Sequence, residues 1–139
     1  MKNKLFEIFE KVNNIKLDSD QDKRDVIIKE FITFADKRLG LGGNIPKIEI
    51  TYADGEAKKM HSFGGYSPYD MTISIVGANR NLADILRTLG HELTHHEQNL
   101  QGKINAQSGE TGSDEENDAN ATAGVLLREF GKINDEIYE

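Results

Sequence analysis

Apolar residues return along the chain with two different periods, and these periods divide it into elements. Leu5, Phe6, Ile8, Phe9 and Val12 recur at helical spacing and predict a short amphipathic helix. A second helix is expected from 19–20 to 39, with Val26, Ile27, Phe31 and Phe34 as its apolar stripe and Gly40 as its C-terminal cap. After Pro46 the period falls to two, and Lys47-Ile48-Glu49-Ile50-Thr51-Tyr52 predicts a strand. Ala53-Asp54-Gly55-Glu56 is turn chemistry, with 57–63 as the returning strand. Residues 62–70, rich in Gly, Pro and Tyr, predict a loop, and 71–76 the clearest strand of the chain. Asn81 is placed to cap a helix running from Leu82 to about Gln101, where Gly102 stops it. A last helix is expected from Ser113 to Phe130 or beyond. The sum is an α+β domain, with about four helices packed on a small sheet of about three strands. A single domain over 1–139 is expected, with N-terminal helices in 1–44 and the strands and remaining helices in 45–139.

Composition narrows the chemistry. The 139 residues include no cysteine, which excludes disulfides, Cys-ligated zinc, iron–sulfur clusters and thiol catalysis. The 17 Lys+Arg against 24 Asp+Glu leave a formal charge of −7, which argues against a nucleic-acid partner. No apolar run approaches the roughly 20 residues of a membrane helix. Charge interrupts every apolar pair of MKNKLFEIFEKVNN, so no secretory segment is expected there and a cytoplasmic protein is. Oxygen and imidazole chemistry remain.

The expected helix from Leu82 carries His91-Glu92-Leu93-Thr94-His95, an HExxH pattern. Imidazoles at i and i+4 lie one turn apart on one face and can grip one small cation. Glu92, between them, is placed to take a proton from water that the cation acidifies. With Leu82 at zero and about 100° per residue, Leu86, Leu89, Leu93 and Leu100 cluster within about 40° of one line, whereas His91 and His95 fall at about 180° and about 220°. The histidine pair therefore faces away from the leucine stripe. A catalytic zinc takes three protein ligands and a water, so a third is needed. The candidates are His61, His96, Glu97 and the acidic group Asp114, Glu115, Glu116 and Asp118. His96, at about 320°, lies on the core side as a boundary histidine, and Glu97, at about 60°, also points away from the pair.

HExxH followed downstream by Glu116-Asn117-Asp118-Ala119-Asn120 resembles the gluzincin zinc metallopeptidases. It is most similar to the minimal ones, including the ImmA/IrrE-like peptidases of bacteria, phages and mobile elements. The resemblance covers about 45–130. It implies a zincin-like fold, Zn²⁺ held by His91, His95 and Glu116, and Glu92 as general base. It makes Asn120 the residue that orients a ligating histidine. It also implies a peptide or protein substrate paired along the 71–76 strand at the sheet edge. The family's oxyanion-stabilising residue has no clear counterpart; Tyr66 and Tyr69 are the nearest candidates, in a Gly64-Gly65 loop that could act as a lid. One departure is Glu97, where a hydrophobic residue is commoner. Ser113-x-x-Glu116 is also a capping box, which offers Glu116 a purely structural role.

These readings lead to a zinc-dependent endopeptidase. Two alternatives stand beside it: a non-catalytic, metal-stabilised binding or structural module such as a virion component, and a regulator-cleaving peptidase of a mobile element. Glu92 separates enzyme from structural module, because a structural zinc site has no use for a carboxylate between its histidines and is closed by a fourth protein ligand.

Overall fold

The computed structural model describes residues 16–18, 22–53, 63–105 and 112–138. The first element is a short strand, β1 (Lys16–Asp18), followed by helix α1 (Asp22–Leu39) and strand β2 (Lys47–Thr51). Strands β3 (Gly64–Ser67) and β4 (Thr72–Val76) precede helix α2 (Leu82–Leu100), helix α3 (Asp114–Ile133) and a 3₁₀ turn at Asp135–Tyr138. The chain is α+β, with a small mixed sheet in the order β1-β2-β4-β3. β1, β2 and β4 run parallel, and β3 is antiparallel to β4. The expected helix at 5–12, most of the expected returning strand at 57–63 and His61 lie outside the described residues.

One face of the sheet carries the core. Ile48 pairs with Ile73 and Ile50 with Ile75, so the period-two alternation of both strands puts four buried isoleucines side by side. α1 covers them with Ile27, Ile28, Phe31, Ile32 and Ala35, and α2 with Ile85, Leu86, Leu89 and Leu93. α3 closes the other flank through Ala119, Ala123, Leu126, Leu127 and Phe130, and the Phe130 ring meets Phe31 edge-on at 5.3 Å.

The helix ends follow capping chemistry. Asn81 accepts from the Asp84 N–H at 2.9 Å to open α2, and Ser113 accepts from the Glu116 N–H at 3.1 Å to open α3. Gly102 ends the α2 segment with φ 72°, a left-handed conformation that suits glycine.

Four expectations change. Val26 is 54% exposed, so the α1 stripe runs through Ile28 and Ile32 instead. Among the described residues the sheet has four strands where about three are expected, because Lys16–Asp18 joins it as a further parallel strand. The expected loop at 62–70 contains strand β3, which the β4 ladder imposes on a GGYS sequence with little strand propensity of its own. The strand expected at the sheet edge, 71–76, is interior: β4 is paired on both sides, and among the described residues β3 lies outside it. The β3 backbone lies so close to α2 that a Cβ on Gly64 would stand 2.5 Å from Thr88 Cγ2.

Candidate metal centre

His91-Glu92-Leu93-Thr94-His95 lies in the third and fourth turns of α2. Around the histidine pair, the side of α2 opposite its leucines is largely covered. α3 packs across it, so Glu92, His95 and Gln98 are all buried. Packing is close because Gly90 sets α2 against α3, 3.5 Å from the Ala123 Cα as measured from a Cβ built on it. This contact brings the first turn of α3 over the histidine pair.

Among the described residues, the His, Asp and Glu side chains whose donor atoms gather within 4.8 Å of one another are His91, His95 and Glu116. The Nε2 atoms of His91 and His95 are 3.2 Å apart. Glu116 Oε1 lies 3.1 Å from His91 Nε2, and Oε2 lies 3.0 Å from His95 Nε2. Three donors bonded at about 2.0–2.1 Å to one tetrahedral cation stand roughly 3.3 Å apart, so these separations suit a small ion such as zinc. The capping role of Ser113 and the placement of Glu116 coexist, since Ser113 Oγ caps the helix while both Glu116 carboxylate oxygens face imidazoles.

Each imidazole is held from behind. Gln98 donates from Nε2 to the Glu115 carbonyl and to Asp118 Oδ2, both at 2.9 Å. That turns its Oε1 to His95 Nδ1 at 2.8 Å, so Nδ1 carries the proton and Nε2 keeps its lone pair for the cluster. Asn120, one helical turn after Glu116 on α3, stands near the His91 ring, where its side chain favours the protonated imidazole. Burial holds His91 below the usual imidazole range, with Glu116 working against that effect. Gln98 is absent from the sequence-derived candidates. The signal was present: at about 160° on the same wheel it shares the histidine face. Gln98→Ala is expected to weaken zinc binding by about 10- to 100-fold, as loss of a ligand-orienting group does, with the fold retained. Competition titration against a chromogenic chelator measures this.

Glu92 is 6% exposed and stands 3.7 Å from His91 Nε2, beyond hydrogen-bonding distance. Burial pushes its carboxyl up to about 7, with the Glu116 charge adding and His95 opposing. A cleft of about 450 Å³ opens over Glu92 and the cluster, bordered by Gly64, Gly65, Tyr66 and Pro68 on one side and by Ile104 and Asn105 on another. A smaller recess of about 290 Å³ lies on the other side of Glu92, between Phe63, Thr88 and Ala123.

The remaining candidates lie elsewhere. Tyr69 is 97% exposed and does not border the cleft. Tyr66 borders it, but its hydroxyl is turned inward to His96 Nδ1 at 2.7 Å. His96 is 1% exposed, a core histidine more than a boundary one, and burial lowers its proton affinity. Glu97 lies outside the three-residue cluster, its carboxyl raised by burial and by Asp118. No described helix is long and apolar enough to cross a membrane. Comparison of the chain with protein-family models, curated proteins and solved structures found no match.

Proposed function

We propose that this protein is a zinc metallopeptidase of the minimal gluzincin type, hydrolysing peptide bonds of a peptide or protein substrate. The observation that carries the reading is a buried carboxylate, Glu92, beside a cluster of three donors that opens on a cleft. Three protein ligands leave a coordination position for water or substrate, whereas a structural site fills it with a fourth residue. His91, His95 and Glu116 would hold the ion, with Gln98 and Asn120 fixing the two imidazoles. Zinc, when bound there, would lower the pKa of water and polarise a carbonyl. Glu92 takes the proton from the attacking water on its carboxylate and returns it to the leaving amine. Its place inside the helix but outside the ligand set suits that exchange.

The outer strand β3 supports the substrate class. Among the described residues it is the last strand of the sheet, and it lines the cleft, so an extended peptide can add to it by main-chain pairing, a mode tolerant of side-chain identity. This takes the pairing role that the sequence resemblance gave to 71–76.

The zinc content of the purified protein and its cleavage of unfolded casein test the reading together. About one zinc per chain is expected, with cleavage abolished by a chelator and restored by added zinc. Loading should also raise the melting temperature, since the ion binds the folded state alone. A protein that takes up no zinc, or cleaves equally well with the metal stripped, would refute it.

A further inference from the structure

A polar chain centred on the buried His96 borders the cleft, and the proposed reaction does not use it. It begins at the Asn44 carbonyl, 2.7 Å from His96 Nε2. A carbonyl only accepts, so Nε2 carries the proton and Nδ1 of the neutral ring is the acceptor. The Tyr66 hydroxyl, 2.7 Å away, donates to that Nδ1. Asn99 completes the chain, donating from Nδ2 to the Tyr66 oxygen at 2.9 Å and to the Pro68 carbonyl at 3.0 Å. His96 and Asn99 sit on α2, and Tyr66 and Pro68 sit on β3 and the turn after it. The chain therefore fastens the outer strand to the helix that bears the metal cluster.

The strand's register gives this fastening a consequence. The Val76 N–H donates to the Phe63 carbonyl at 2.8 Å, and Tyr66 pairs with Ile73. In an antiparallel ladder the bonded pairs alternate, so Gly65 and Ser67 point their main-chain groups at β4 while those of Tyr66 point away from the sheet. One residue thus offers its backbone outward, beside the cleft, and its hydroxyl inward, to His96 and Asn99.

We propose that Tyr66 is a positioning residue: clipped by His96 and Asn99, it fixes the outer edge of β3 where a peptide pairs with it over the metal cluster. The proposal rests on the peptidase reading for its substrate. It excludes the oxyanion-donor role, because the only proton of the phenol is given to His96.

Tyr66→Phe separates the two roles. In the metal-free protein, exchange of the Gly65 and Ser67 amides should quicken by about tenfold, the loss of roughly one hydrogen bond. In the zinc-loaded protein, KM for an unstructured peptide should rise by about tenfold, with kcat within about twofold and zinc content unchanged. His96→Leu should reproduce both effects. His96→Gln, whose amide can still donate to Asn44 and accept from Tyr66, should restore wild-type values. A kcat fall of about 100-fold at constant KM would overturn the proposal in favour of an oxyanion donor. Unchanged exchange and KM would overturn it outright. A wild-type protein that binds zinc yet cleaves nothing would remove the peptidase reading, and with it the substrate role, while amide exchange still decides the clip.

Discussion

Glu92→Gln is expected to lower peptide cleavage by about 10³-fold while leaving zinc stoichiometry at the wild-type value. The substitution is nearly isosteric and removes only the capacity to take up a proton. Glu92 lies 3.7 Å from His91 Nε2, and the three mutually close donors belong to other residues, so binding of the ion does not depend on it. The same variant should be more stable than the parent in the metal-free state at alkaline pH. Burial raises the Glu92 carboxyl from 4.5 to about 7, so the folded protein holds this proton more tightly than the unfolded chain. The folded state is favoured while Glu92 is protonated, and that advantage is lost as pH rises from the ordinary carboxylate range through about 7. Glutamine stays neutral throughout. Its melting temperature should match the parent below pH 4.5 and exceed it at pH 8, by on the order of 5 °C. Opposite signs for activity and stability mark a group kept for chemistry at a cost to the fold. An active Glu92→Gln protein would remove Glu92 from the reaction. Equal melting temperatures at pH 8 would show that its burial carries no penalty.

Local signals reached much of this site. The HExxH helix was readable because three independent features coincide: the Asn81 cap, the leucine stripe and the Gly102 stop. The β2 and β4 strands were readable from their isoleucine alternation. Where reading failed, the deciding interaction lay between elements. Gly64-Gly65-Tyr66-Ser67 becomes a strand because β4 offers it a ladder, and nothing in its composition announces that. Lys16–Asp18 is three residues long and owes its strand geometry to β2. That addition at one edge and β3 at the other leave 72–76 in the interior. Val26 belongs to the expected α1 stripe, but the helix is rotated so that Ile28 and Ile32 are buried and Val26 is exposed. The helical wheel of α2 alone places the histidines away from the leucines and carries no sign that α3 packs over them. Burial on two sides is what gives Glu92 its raised carboxyl and Gln98 its two partners on α3. Glu116 was open to both a capping and a ligand reading from sequence. Its carboxylate oxygens, each about one hydrogen bond from an imidazole, favour the second without displacing Ser113 from the first.

That division of labour between Ser113 and Glu116 carries the other large effect. Glu116→Ala is expected to weaken zinc binding by on the order of 100-fold or more, with cleavage lost in proportion, because two imidazoles alone make a poor tetrahedral site. Helix α3 should persist, since its first turn is capped by the Ser113 hydroxyl and its body is held by Ala119, Ala123, Leu126 and Phe130 in the core. Ser113→Ala is the complementary change. Loss of the cap should cost about 1 kcal/mol of stability, while one zinc per chain is still bound. Calorimetric zinc titration and denaturant unfolding of the two variants make the comparison. If Glu116 were chiefly a cap, the pattern would reverse, with Glu116→Ala losing stability and keeping zinc affinity. The geometry argues against that reversal. A carboxylate serving the helix start would turn back towards the Ser113 backbone, whereas this one spans from His91 Nε2 to His95 Nε2, one oxygen at 3.1 Å and the other at 3.0 Å.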